Sequence, residues 1–423
     1  MNPEQVGEGG GALASDIERF ASNRVSECPS QGGFERVMQE HEADGNSNPL
    51  AASDEMRVPS PGLTPNLSDG VISTALANLD PGYFAWVMAS GIVSIGADIL
   101  GYPFISRIVL GVTVTAFLVL LFAYVARAIW FWPSFIASLR DPATAMAYFT
   151  VVAGSNVLAT RLLMTGNQKL AIILGSFGTL VWLFLTYGLP SFIVASARRP
   201  ILREINGTWL IWVVATQSVA IVASGIAAAT ANSVTANVLS AVSVSFWGIG
   251  VMLYLILIVM IFFRLVLVEV TPAEMGPAYW IAMGATAISA RAAAGILLLK
   301  GPAAKVVVND LRSFLVGFSF VLWAFGTWWI PLLVLFGLWR YGVKGYSRRY
   351  EPRLWSVVFP LGMYTVASYT LGSAAKLGFM VSISRVWLWV GVTAWLAVLV
   401  SMLTEFVRSL SGIGKKKSAT RLP

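Results

Sequence analysis

The chain has 423 residues, 57% of them hydrophobic and 12% charged, whereas a soluble domain carries roughly a quarter charged residues, so it reads as a polytopic membrane protein. The only histidine, His41, and the only cysteine, Cys28, precede the apolar region, which excludes imidazole or thiol nucleophiles, metal or haem ligation and disulfides from the membrane part. The net charge of +8 is unevenly placed, because 13 of the 21 acids but only 4 of the 29 Lys and Arg precede Pro81, and no soluble segment interleaves bases with aromatics as a nucleic-acid surface would.

Residues 1–80 are rich in Gly, Ser, Pro, Asn and acids without lasting periodicity, the composition of a disordered tail. A short amphipathic helix over Asp16 to Arg24 is the one element it suggests. No basic start precedes a short apolar core and cleavage site, so the first span itself is expected to direct insertion.

From Pro81 onward apolar runs alternate with short polar loops, and about 20 residues at 1.5 Å rise cross the hydrocarbon core. Ten spans are expected, at 82–101, 106–129, 143–164, 169–188, 207–230, 243–266, 276–299, 313–336, 354–375 and 386–406. They define a membrane domain over 81–408, followed by a basic tail over 409–423. Placing the N-terminus inside puts sixteen bases near the cytoplasmic ends, among them Arg127, Arg264, Arg340 and Arg408, and eight near the outer ends. That is the positive-inside pattern, with both termini cytoplasmic. Aromatic clusters at Trp130 to Trp132, Tyr279 and Trp280, Trp328 and Trp329, and Trp387 and Trp389 read as interfacial belts.

Odd and even spans differ in kind. Gly, Ala, Ser, Thr, Asn and Gln fill 57 of 110 positions in the odd spans, the ninth counted over 356–375, and 31 of 113 in the even ones. Small and hydroxylated residues belong where helices crowd together or face water, and large aliphatic ones where they face lipid. The expected fold is an all-α integral membrane protein of five helical hairpins, with an inner ring of odd helices around a pore and an outer ring of even helices. Small residues serving tight packing alone are the other explanation of the pattern.

The stretch from Trp355 to Lys376, WSVVFPLGMYTVASYTLGSAAK, organises this reading. Pro360 cannot donate a backbone hydrogen bond, so the ninth helix is expected to break beside Phe359. On one face Phe359 continues into Gly362, Val366, Thr370 and Ser373, where it would be the only bulky group. On another lie Thr365, Ser368, Gly372 and Ala375, with Tyr364 as the alternative plug. Arg291 lies deep in the seventh span on a stripe with Gly284, Ala287, Ala294 and Gly295, so it points into the bundle. Charged residues so placed mark ion paths. Two readings stay open for it: an attractive charge for an anion, or a structural pair with Asp98. Ser90, Ser94 and Asp98 share a face of the first span, and Asn156 with Thr160, and Gln217 with Ser224, form stripes in the third and fifth. Together they suggest a polar lining. Lys376 and Arg161 would make a positive outer mouth or snorkel at the interface. No catalytic, metal or cofactor residue is assigned. The run Gly412 to Ser418 lacks a phosphate loop's spacing, and Asn206-Gly207-Thr208 falls in an expected cytoplasmic loop.

Four stretches, PGYFAWVMASGIVSIG at 81, NGTWLIWVVATQSVA at 206, PAYWIAMGATAISA at 277 and WSVVFPLGMYT at 355, together resemble the tellurite-resistance/C4-dicarboxylate transporter family. That family is related to fungal malate permeases and sulfite pumps and to plant slow anion channels. The resemblance covers Pro81 to Arg408. It implies five hairpins, a pore lined by odd helices, a homotrimer, and a phenylalanine of the ninth helix occluding the pore, which by its place beside the proline is Phe359. Arg291 departs from the mostly uncharged seventh helix that the resemblance implies. The function expected is transport of a small inorganic anion or C4-dicarboxylate across the plasma membrane through a channel-like path in each protomer. The alternatives are a proton-coupled carrier, with Asp98 as its embedded acid, and a membrane sensor or scaffold acting through its tail.

Overall fold

In a computed structural model the compact membrane unit is Leu63–Pro423, and the structure describes residues 71–196, 201–299, 302–347 and 349–419. His41, Cys28 and the helix expected over Asp16 to Arg24 lie outside them. Among the described residues, ten helical spans, the odd ones counted with the turns that lead into them, are long and apolar enough to cross a membrane; their α-helices are α1 (Ala85–Ile99), α2 (Pro103–Trp130), α3 (Phe149–Met164), α4 (Gln168–Ser196), α5 (Ile211–Ala229), α6 (Ser233–Leu267), α7 (Ile281–Leu297), α8 (Pro302–Leu338), α9 (Trp355–Ala374) and α10 (Gly378–Ala419). No strand occurs among the described residues. The even helices outrun their expected spans, with α6 reaching 35 residues, because a helix continues past its apolar window until a breaker stops it. For the same reason the backbone stays helical to Ala419, inside the segment read as a tail. A short helix, Val71–Ala77, likewise interrupts the stretch read as disordered.

Every odd helix is entered through a 3-10 turn: Pro81–Phe84, Met146–Tyr148, Gly207–Leu210, Pro277–Trp280 and Pro352–Leu354. Three open on a proline, whose missing donor is harmless there. Asp80 accepts from the Gly82 amide (2.6 Å) and Asn206 from that of Thr208 (2.9 Å), satisfying amides at the helix starts. Gly207 lies against the Ala278 carbonyl with no room for a β-carbon, so its turn and that of α7 meet backbone to backbone.

The odd helices pack on one another in the order α1, α3, α5, α7, α9 and back to α1, and their five turns touch in the same cyclic order. Each even helix lies against its hairpin partner. Between 72 and 89% of each odd span is buried, against 22 to 39% of each even span, so the compositional alternation marks inner and outer layers.

Tryptophans peg the layers together. The indoles of Trp182 on α4, Trp247 on α6, Trp323 on α8 and Trp395 on α10 donate to Thr216 Oγ1 (2.8 Å), the Ser289 carbonyl (3.1 Å), Ser368 Oγ (2.8 Å) and Ser90 Oγ (2.9 Å). Each of these four outer helices thereby binds the next inner helix around the ring. At the end where the even helices finish, Arg127 and Arg264 donate to the hydroxyls of Tyr148 (3.1 Å) and Tyr279 (3.0 Å) on the following turn. Of the expected belt, Trp130, Trp132, Trp328 and Trp389 are exposed, whereas Trp329 and Tyr279 are buried, because α8 and the turn before α7 are covered at those positions by neighbouring helices.

Candidate functional site

The shared entry turn sets one register for all five inner helices. Counting from the first residue of each turn, the residues eleven positions on are Ile92, Val157, Ser218, Ile288 and Met363. Those fourteen positions on are Ile95, Thr160, Ile221, Arg291 and Val366. These ten, with Asn156, line a single cavity of about 20 Å³, room for a water or a comparably small species. Five helices of unrelated local sequence thus present the same two levels to a common axis.

A second small cavity, also about 20 Å³, lies toward the entry turns. Gly82, Ala147, Thr208 and Arg353, one position into the turns, and Ala85, Thr150, Ile211 and Ser356, four positions in, line it together with Asp80. Between the two levels fall the residues seven positions on: Met88, Ala153, Val214, Gly284 and Phe359. All five are buried, and Phe359 is the bulkiest. Phe359 stands one turn before Met363 and two before Val366, so it shares the face that lines the cavity.

α9 runs through Pro360 as a continuous helix, not the broken one expected. Pro360 is the sixth residue of α9, so only the bond its nitrogen would give to the Ser356 carbonyl is missing. Gly284 on α7 makes room for the ring, since a β-carbon there would stand 2.8 Å from Pro360 Cγ.

Arg291 is the cavity's only charged residue. Its Nη1 is buried without an acceptor, and it rests against Gly295, where a β-carbon would come within 3.0 Å of it. Leaving a buried donor unpaired costs about 1–3 kcal/mol, more for a charged group. Asp98 is not its partner. The Asp98 carboxylate lies 2.8 Å from Arg161 Nη2, and Arg161 also donates to Ser94 Oγ (3.1 Å) and Ser106 Oγ (2.8 Å). The Ser94 and Ser106 hydroxyls donate to each other's backbone carbonyls, at 2.8 Å each. This cluster ties α1, α2 and α3 together.

Residues 78–403 match the SLAC1 family, described as voltage-dependent anion channels. The chain belongs to this family. Two uncharacterized transporters of Methanocaldococcus jannaschii are similar to it: one is 27% identical over 303 residues, covering 70% of this chain and 84% of the relative, the other 25% identical over 300 residues, covering 70% and 85%. An uncharacterized membrane protein of Mycobacterium tuberculosis is 42% identical over 156 residues, covering 37% of this chain and 78% of the relative. Anion transport is therefore its general activity, and the family is one of channels and transporters.

Against this SLAC1-type framework the sequence-derived residues divide. Arg291 and Asn156 line the axial cavity, Phe359 is buried one helical turn before Met363 of that lining, and Thr370, one turn beyond Val366, has its hydroxyl on the Val366 carbonyl (2.8 Å). Ser90 is spent on Trp395, and Ser94 and Asp98 on Arg161. Gln217 turns outward, donating to the Trp247 carbonyl (3.1 Å) above Gly250. Lys376 is exposed at the α9–α10 turn, while Arg161 is only 3% exposed and forms no mouth. Tyr364, the alternative plug, faces away from the axis. It bonds Thr327 (2.9 Å), stacks on Trp323 and meets the tilted ring of Trp387. Gly362 faces Ile92 and Val93 of α1, so Met363 and not Gly362 continues the Phe359 face. Ser218 escaped the sequence reading. It accepts from Asn156 Nδ2 (2.9 Å), and its signal was its distance from the turn.

Proposed function

We propose that the protein passes small anions along the axis of its inner ring, with Phe359 as the plug between the two cavities and Arg291 as the cation that draws the anion in. The observation that carries this reading is the Arg291 guanidinium, which borders the axial cavity with a buried N–H and no acceptor. An anion would supply the missing acceptor. A monovalent inorganic anion fits this site better than a C4-dicarboxylate. The second carboxylate would need a second free cation, and the charge of Arg161, two helices away, is already matched by Asp98. Asn156 Oδ1, buried without a donor, suits a water carried beside the anion.

The protein is further proposed to be a plasma-membrane homotrimer with both termini cytoplasmic. A reporter fused after Pro423 tests the orientation, and mass measurement in detergent tests the trimer. The test of the function is anion-resolved flux in reconstituted vesicles. Arg291→Gln should lower flux roughly tenfold or more, the loss of a charge-assisted bond of about 1.5–3 kcal/mol. Arg291→Lys should keep part of it.

A further inference from the structure

The molecule also has a large apolar groove, about 550 Å³, which shares no lining residue with either axial cavity and is within the range of small-ligand sites. Its walls are the last turns of α8, with Leu333 and Phe336, the turn before α7, with Trp280, and the start of α9, with Val357. α8 exposes most of its length, so the groove opens where the bilayer would lie. Two cations stand at its end. Arg340 is 2% exposed, paired with Glu351 at 3.1 Å, and its Nε is buried without an acceptor. Arg349 lines the groove, is exposed and makes no ion pair among the described residues. The backbone between them begins with a π-helical turn, Trp339–Val343, a distortion frequent at functional sites.

We infer that this groove binds one anionic phospholipid, an acyl chain lying along Leu333, Phe336 and Val357 and the phosphate resting on the exposed Arg349. An apolar trough facing the bilayer takes a hydrocarbon chain, and Arg349, a base with no acid paired to it among the described residues, selects a negative headgroup. The bases concentrate at this end of the bundle, where anionic lipids would be met if it is cytoplasmic. The inference is independent of the axial path.

Gly337 supplies a clean test. It lines the groove, and a β-carbon there meets nothing within 4 Å, so Gly337→Leu fills the trough without pressing on the fold. The full-length protein is titrated with phosphatidylglycerol or phosphatidylcholine and read by native mass spectrometry. Wild type should retain phosphatidylglycerol at lower lipid concentration than phosphatidylcholine. Arg349→Gln should reduce that preference about five-fold, the effect of one cation near an anionic headgroup. Gly337→Leu should abolish retention of one lipid of either kind. Equal retention of both lipids by wild type, or unchanged adducts in both variants, would overturn the site. So would a change of oligomeric state in Gly337→Leu with unchanged adducts, because the groove would then be a contact between copies of the chain.

Discussion

Pro360 on α9 presses directly on Gly284 of α7: a β-carbon on Gly284 would stand 2.8 Å from Pro360 Cγ and 3.1 Å from its Cβ. Gly284 occupies the same level of the inner ring as Phe359. The residue that receives the proline and the ring proposed to close the path are therefore mechanically linked. Gly284→Ala should cost about 1–3 kcal/mol as an overpacked contact and displace α9 enough to raise the leak of anion through the closed protein. Flux per folded molecule, set beside thermal unfolding in detergent, reads both effects. Loss of stability with no added leak would separate Gly284 from the plug.

Asp98 and Arg161 form the second relationship with a direct consequence. Arg161 is 3% exposed and Asp98 31%, so removing the arginine leaves a half-buried carboxylate. Breaking a fully buried pair costs about 3–5 kcal/mol, and the access of water to Asp98 should reduce this to roughly 2–3 kcal/mol for Arg161→Gln. Asp98→Asn should retain anion flux that ignores a pH gradient, since the account gives Asp98 a structural role. Collapse of gradient-driven flux in Asp98→Asn would instead support a proton-coupled carrier.

Three hairpin tips share one turn. Gly101, Gly166 and Lys376 all adopt positive φ, at 86°, 83° and 59°, just past the ends of α1, α3 and α9. The amides of Tyr102, Asn167 and Leu377 close the turns on the carbonyls of Ala97, Leu162 and Gly372 at 2.8, 3.0 and 2.7 Å, a Schellman geometry that glycine favours. Lysine there bears about 1–2 kcal/mol of left-handed strain, partly offset by the greater freedom glycine would lose on folding. Lys376→Gly should therefore stabilise the protein by about 0.5–1 kcal/mol, seen as a higher unfolding midpoint. If the lysine also steers anions, the same variant should slow uptake at low ionic strength and not at high.

The ten spans and the two layers were readable from sequence because lipid-facing and ring-facing helices obey different packing rules, as the contrast of α5 with α6 displays. Arg291 was readable because a charge on a small-residue stripe has few places to go. What sequence left open was rotation. Tyr364 and Phe359 differ by five positions on one helix, and only the packing of Tyr364 against Trp323 and Trp387 shows that Tyr364 turns to the outer layer. Gln217 and Ser218 are adjacent, yet Gln217 goes to α6 and Ser218 to the axis. Asp98 could not be assigned to Arg161 over Arg291, because the choice depends on which helices are neighbours in the ring. The equal spacing from turn to cavity lay in the sequence, but it becomes visible only once the five turns are known to be equivalent.

The most direct test of the axial path is anion current per folded protein in vesicles, compared between wild type, Phe359→Ala and the double variant Phe359→Ala with Arg291→Gln. Phe359→Ala should raise the current, and adding Arg291→Gln should remove roughly tenfold or more of the gain, because the path is opened by one change and loses its attracting charge by the other. If Phe359 were only a packing residue, the single variant would lose about 3–5 kcal/mol of stability with no rise in current. That result, or a double variant conducting as well as the single one, would contradict the account.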